Sequence, residues 1–144
     1  MLAFFSGAIW TPSFPYSSAV NNLPYGVTVD FGIVPFSSGQ YLFHVEMQIG
    51  WNGAVGGTRD GDFFLIAGNS PSDAAQFGFK WGSLRLGGSG FDYGTVQSYG
   101  HWLMATAIQG QHLYLRANDQ AMLLGAQLAV FNPPPYMITS PGYV

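Results

Sequence analysis

Apolar residues recur at every second position over short stretches of this sequence, and Gly or Pro interrupts the pattern at short intervals. Residues 41–51 show it best, because the odd-numbered positions are all aromatic or aliphatic while the even-numbered ones include His44, Glu46 and Gln48. A two-residue period matches a half-buried β-strand, whereas an amphipathic helix would need a period of 3.6. The chain is therefore predicted to be all-β.

Further strands are predicted over residues 27–33 and 77–81, where the same alternation appears. Residues 63–67 are apolar at every position, which fits either a strand covered on both faces or a buried helical turn; the short length favours the strand. The dipeptide Asp60-Gly61 predicts a turn before this segment. Residues 87–90, Gly-Gly-Ser-Gly, predict a flexible loop.

The final third of the sequence predicts three strands joined by tight turns. The strands cover residues 99–108, 111–117 and 121–131, with turns at Gln109-Gly110 and Asn118-Asp119. About eight or nine short antiparallel strands in 144 residues predict a β-sandwich of the jelly-roll type. No repeat or linker divides the chain, so residues 1–144 are expected to form a single domain.

Two proline-rich segments, at about 10–25 and 132–144, are predicted to be extended N- and C-terminal arms. Proline donates no hydrogen bond to a sheet ladder, so neither segment suits a central strand. Both carry aromatic side chains, including Phe14 and Tyr136. These side chains are expected either to pack back over their own domain or to lie against a neighbouring chain.

Charge is scarce: the sequence has four Lys and Arg, seven Asp and Glu, and 8% charged residues overall, against about 25% in an average soluble domain. This composition excludes a disordered, highly solvated chain. It also disfavours nucleic acid as a partner, because phosphates are held mainly by grouped basic residues. Edge strands that lack charged side chains can pair with strands of other chains. We therefore expect a symmetric homo-oligomer or incorporation into a larger particle.

No pattern in the sequence predicts an enzyme, a cofactor or a metal site. Cys is absent, and His44, His101 and His112 do not stand at the spacing of a zinc site. The residues Asp60-Gly61-Asp62 lack the further ligands of a calcium loop. The longest apolar run, residues 121–131, is shorter than the about 18 residues of a membrane span, and no basic flank marks the start as an export signal.

The aromatic residues leave two interpretations open. Trp51, Trp81, Tyr93 and Tyr99 stand near predicted loops and could form a platform for stacking on sugars. Aromatic residues of a β-sandwich are, however, more often part of its core.

Three short motifs resemble the trimeric jelly rolls of the tumour necrosis factor and complement globular-head superfamily. Gly39, Tyr41 and Phe43 resemble the family's Gly-x-Tyr-x-Phe strand. Residues 123–128, Leu-Leu-Gly-Ala-Gln-Leu, resemble its closing Phe-x-Gly-x-Leu strand, and residues 2–6, Leu-Ala-Phe-Phe-Ser, its opening Ala-Phe-Ser strand. Together they span nearly the whole chain.

The resemblance implies a compact homotrimer whose inner sheets meet around a threefold axis. Alternation then predicts that Tyr41, Phe43, Val45 and Met47 fill the sandwich, together with Met122, Leu124 and Leu128. The residues expected to face a neighbouring copy are Leu42, His44, Leu123, Gln127 and Phe131. Three copies of His44 near one axis could bind an anion or a metal, although a hydrogen bond to a neighbour is the better-supported role.

These features together predict a viral structural protein: a homotrimeric decoration or cement protein that stabilises a bacteriophage head by bridging subunits of the major capsid protein. It would be made in the host cytoplasm and lie on the capsid surface. The residues expected to contact the capsid through the arms are Phe4, Phe5, Trp10, Phe14, Tyr16, Pro134, Tyr136 and Tyr143.

Two other functions are considered. A receptor-binding or glycan-binding tip of a tail fibre or spore filament would use the same trimer, with Trp51, Trp81 and Tyr93 at an exposed apex. A small-molecule-binding or isomerase-type jelly roll would need a pocket of clustered His and carboxylate residues, which the sequence does not supply.

Overall fold

A computed structural model describes residues 7–14, 26–50, 57–72, 75–86, 96–117 and 122–133. Eight strands, and no helix, lie in these ranges. The strands are β1 (Ser13–Phe14), β2 (Thr28–Ile33), β3 (Gly39–Gly50), β4 (Gly57–Gly68), β5 (Ala75–Leu86), β6 (Val96–Ala107), β7 (His112–Ala117) and β8 (Met122–Phe131).

The strands form two four-stranded antiparallel sheets. Sheet A has the order β1-β8-β3-β6, and sheet B has the order β2-β7-β4-β5. Strands early in the sequence thus pair with late ones: β1 with β8, β2 with β7, β3 with β6 and β4 with β5. The predicted all-β sandwich is confirmed.

One apolar core lies between the sheets and draws on both. Burial removes apolar surface from water and is the dominant favourable contribution to folding. Strand alternation supplies the apolar face that is buried, because alternate residues of each strand point to the same side of its sheet. The core comprises Val29, Phe31, Val34, Tyr41, Phe43, Val45, Met47, Ile49, Phe63, Leu65, Ala67, Leu103, Ala105, Ala107, Leu113, Leu115, Ala117, Leu123, Ala126, Leu128 and Val130.

Strand β3 has the alternation predicted for residues 41–51. Its inward residues, from Tyr41 to Ile49, are buried in the core. Its register with β6 is unbroken over twelve residue pairs, from Gly39 with Ala107 to Gly50 with Val96. The other predicted strands are also present. Residues 63–67 belong to β4, with Phe63 and Leu65 in the core and Ile66 fully buried on the other face.

The predicted turn at Asp60-Gly61 is wrong. Both residues lie inside β4, which continues to Gly68, and the β4–β5 register shifts between Arg59 and Gly61. Asp60 of β4 stands opposite two residues of β5, 82 and 83, so the extra residue of this bulge lies in β5 and β4 continues through Asp60-Gly61. The predicted turn at Gln109-Gly110 is confirmed: Gly110 has a φ of 87°, and the Gln111 amide donates to the Ile108 carbonyl at 3.1 Å. Residues 87–90 and the Asn118-Asp119 turn lie outside the described residues.

Truncating a core side chain should destabilise the sandwich strongly. Phe43 is fully buried at the centre of β3, so Phe43→Ala should lower the free energy of unfolding by about 3–5 kcal/mol through lost burial and a residual cavity. Urea denaturation measures this change. The exposed Thr106 of β6 offers a control, because Thr106→Ala should change stability by less than about 0.5 kcal/mol. Equal effects of the two substitutions would contradict the assigned core.

Candidate functional site

The outer face of sheet A, called the A face below, carries the side chains that alternate with the core residues of β3, β6 and β8. The strand register arranges these residues in three rows across the sheet. The first row is Met104, Leu42 and Phe131; the second is Trp102, His44 and Ala129; the third is Gly100, Glu46 and Gln127.

Aromatic rings connect the first two rows. The rings of His44 and Trp102 have centroids 4.4 Å apart at an angle of 51°, and those of Trp102 and Phe131 are 5.7 Å apart at 38°. Such tilted pairs contribute about 0.5–1.5 kcal/mol beyond their area burial. Leu42 and Phe131 are partly exposed. The A face therefore presents an apolar and aromatic stripe that crosses three strands.

His44 is buried on this outer face, with 5% of its surface exposed. Its ring lies over Gly100, where an added Cβ would stand 2.9 Å from the His44 Cε1. Its Nε2 lies 3.9 Å from Glu46 Oε1. Burial lowers the pKa of His44 below its ordinary value of 6.5, and the nearby Glu46 carboxylate partly offsets this. The imidazole is therefore held neutral in a mostly apolar setting.

Four of the five residues predicted to face a neighbouring copy lie on the A face: Leu42, His44, Gln127 and Phe131. The placement predicted for Leu123 is wrong, because its side chain packs in the core with 4% exposed. A bulge explains the reversal. Gln48 pairs with Gly125 but Ile49 pairs with Leu123, so β8 contains one extra residue and its alternation inverts there.

Leu124, which was predicted to fill the core, is buried with 1% of its surface exposed. It stands at the bulge and lies outside the main core cluster. Leu128, beyond the bulge, lies in the core as predicted. Met122 has no described side chain.

The described part of the predicted N-terminal arm is docked on sheet A. The Val130 amide donates to the Trp10 carbonyl and the Leu128 amide to the Pro12 carbonyl, both at 2.9 Å. Trp10 packs against the core and meets Phe36 edge-on at 5.9 Å. Trp10 is thus a sheet residue rather than part of a free arm, because the backbone around Pro12 still offers carbonyl acceptors to β8.

The other predicted arm residues are placed as follows. Phe14 lies in β1 opposite Ala126 and is 36% exposed. The remaining predicted arm residues lie outside the described residues: Phe4, Phe5, Tyr16, Pro134, Tyr136 and Tyr143.

Of the four aromatic residues considered for sugar stacking, the structure describes the side chain of Tyr99 alone. Tyr99 packs against the core. Trp51 and Tyr93 lie outside the described residues, and Trp81 is placed only as a position in β5.

The outer face of sheet B, called the B face below, has a different chemistry. Asp30 Oδ2 accepts a hydrogen bond from His112 Nδ1 at 2.9 Å, and Asp30 Oδ1 accepts one from the Gly32 amide at 2.8 Å. The Arg116 guanidinium lies 5.1 Å from the centre of the Phe64 ring, a cation–π arrangement. The B face thus carries both charge signs, whereas the described side chains of the A face include one ionisable acid, Glu46, and no Lys or Arg.

Sequence reasoning missed the Asp30–His112 pair. The two residues are distant in sequence, and only the pairing of β2 with β7 brings them together. The pair secures β2 where its register shifts between Asp30 and Gly32 and where Gly32 takes a φ of 111°. Because both side chains are substantially exposed, its contribution to stability is less than about 1 kcal/mol.

Within the described ranges, no three His, Asp or Glu residues are grouped so that they could hold a metal ion. The same ranges contain no helix with the length and apolar character needed to cross a membrane. Comparison with models of known protein families gives no match, and comparison with curated proteins gives none either.

Filling the space beneath His44 should disturb the A face. The added Cβ of Gly100→Ala would displace the His44 ring from its position over β6. We expect the free energy of unfolding to fall by about 1–3 kcal/mol. Gly39→Ala is the matched control in the partner strand, because its new Cβ would lie 3.6 Å from the Tyr41 ring, an ordinary contact. That variant should be neutral or more stable by less than about 1 kcal/mol. Similar unfolding curves for both variants would contradict the described position of His44.

Stability should fall on mild acidification because of one buried imidazole, that of His44, and one partly buried imidazole, that of His101. Burial lowers the pKa of His44 and of His101 below 6.5 in the folded chain. The unfolded chain therefore binds protons first as the pH falls, and the free energy of unfolding decreases from about pH 6.5 down to the folded-state values. Urea denaturation across this range measures the slope, which His44→Gln should reduce. An unchanged slope in both His44→Gln and His101→Gln would contradict this assignment.

Proposed function

We propose that this chain is a viral structural protein, a homotrimeric decoration or cement protein on a bacteriophage head, and that its A face is the surface joining the copies. The observation that supports this proposal is the apolar stripe of Leu42, Trp102 and Phe131 around the buried His44. An outward sheet face in water usually alternates to polar residues. Large apolar side chains there are characteristic of a surface that another chain covers.

The contrast between the faces supports this choice of interface. A second copy on the A face would bury apolar rings and few charges, at about 25 cal/mol per Å² before the cost of association. A copy on the B face would instead have to desolvate Asp30 and Arg116, which is costly without matched partners. The A face is therefore the better surface for a tight symmetric contact.

The strand order supports a jelly roll as the form of the sandwich. One long hairpin that wraps into two sheets pairs its first strand with its last and continues inward in the same way. The observed pairing follows this pattern: β1 with β8, β2 with β7, β3 with β6 and β4 with β5. Trimers of such a domain would suit the local threefold positions of an icosahedral shell, where they would bridge neighbouring capsid subunits from the outer surface. The role is structural rather than catalytic.

The mass of the purified chain in solution tests the trimer. We expect three times the 15.5 kDa of the single chain by sedimentation equilibrium at micromolar concentration. Leu42→Asp should reduce this to the single-chain mass, because it places an unpaired carboxylate in an apolar contact. Thr28→Asp, on an exposed position of β2, is the control and should leave the trimer intact. A single-chain mass for the unaltered protein would refute the proposal.

Decoration is tested separately with shells assembled from the major capsid protein encoded in the same genome. The purified chain should cosediment with undecorated shells at micromolar concentration. Failure to do so would remove the decoration role even if the chain is trimeric.

A further inference from the structure

A titratable side chain lies at the middle of the A face. His44 belongs to β3, the strand between β6 and β8, and stands beside Trp102 on one side and Ala129 on the other. Its ring centroid is 4.4 Å from that of Trp102, and 5% of the residue is exposed. An imidazole is thus buried on the outward side of sheet A, within the surface proposed to join the copies.

Few charged or titratable groups face His44. On its own strand, Glu46 Oε1 lies 3.9 Å from His44 Nε2, and 20% of the Glu46 side chain is exposed. The titratable neighbour on β6 is His101, whereas Gln127 and Ala129 of β8 do not titrate. A proton on His44 would therefore find one counter-charge, that of Glu46, among the A-face side chains that the structure describes.

This carboxylate does not fully compensate the lost water. Burial is the largest influence on the pKa of His44 and lowers it below 6.5, while Glu46 opposes that effect. The charges of His101 and of the amino terminus lower the pKa further, by smaller amounts. A single copy already resists protonation of this ring.

A second copy on the A face would increase that resistance. The neighbours Leu42, Trp102 and Phe131 are partly exposed in the single chain, and the contact would cover them and exclude the water beside them. Charge is most costly where water and counter-charges are both scarce. A protonated His44 is therefore less favourable in the contact than in a single copy, so protonation and association oppose each other.

We propose that His44 makes the A-face contact sensitive to pH, so that copies join while its imidazole is neutral and separate when it is protonated. This rests on the proposed trimer and adds regulation to it. The single copy binds the proton more readily, so the contact has its full strength above about pH 6.5 and weakens as the pH falls below that value. With one His44 in each copy, dissociation would take up as many as about three protons, which makes the dependence steep.

Sedimentation equilibrium at about pH 7.5 and about pH 5.5 tests this regulation, with near-UV circular dichroism at both values as the measure of intact folding. The association constant of the unaltered trimer should be at least about tenfold lower at the acid value. His44→Gln puts a neutral amide in place of the imidazole, so its association should change less than about threefold. His112→Gln, which removes a histidine of the B face, is the matched control and should keep the full pH dependence.

Glu46→Gln tests the regulation with His44 left in place. Removal of the carboxylate lowers the pKa of His44 further, so the midpoint of dissociation should move to lower pH. A purely structural role of His44 would leave that midpoint unchanged. Loss of the pH dependence in Glu46→Gln would assign it to the carboxylate and overturn the proposal.

The outcomes separate the regulation from the trimer. An equally strong trimer at both pH values, or a pH dependence that survives His44→Gln, overturns the regulation and leaves the trimer standing. Loss of the near-UV signal together with the trimer mass would assign the effect to unfolding and also overturn the regulation. A single-chain mass of the unaltered protein at about pH 7.5 overturns both the trimer and its regulation.

Discussion

The hydrogen bonding of β3 on both of its edges is the constraint on which sheet A depends. β6 pairs along one edge over its full length, and β8 pairs along the other. Because the backbone is fixed from both sides, the direction of every β3 side chain is fixed as well. Its inward residues fill the core with Phe43, Val45 and Met47, and its outward residues place Leu42 and His44 on the A face. A slip of one residue would exchange these two sets.

Alternation in the sequence was sufficient to predict the strands and the sandwich, because burial of one sheet face imposes a two-residue period. It was sufficient also for the outward direction of Leu42, His44, Gln127 and Phe131. It failed at Leu123, where a bulge inserts a residue into β8. The turn predicted from the dipeptide Asp60-Gly61 failed where β5 carries an extra residue opposite β4. A bulge depends on the partner strand, so no local pattern announces it. The packing of His44 over Gly100 likewise depends on the neighbouring strand.

Few charged residues are available to cover the two outer faces, and the two faces differ in the side chains that they carry. On the B face, Asp30, His112 and Arg116 form polar contacts that remain compatible with water. On the A face, the space is filled by rings, and the one histidine is kept neutral by burial. A chain with few charged residues can remain dispersed in water only if surfaces of the second kind are covered. The proposed trimer contact provides that cover for sheet A.

The pairing of β1 with β8 also has a consequence for how the chain reaches this state. Ser13 lies opposite Gln127, so the first strand cannot take its place until the last one has been synthesised. Contacts between residues so far apart in sequence slow folding, because the intervening chain must be ordered before they form. During translation, Trp10 and the strand that follows it stay without their β8 partner until β8 has been synthesised. Closure of sheet A is therefore a late event, and it couples completion of the core to the synthesis of β8.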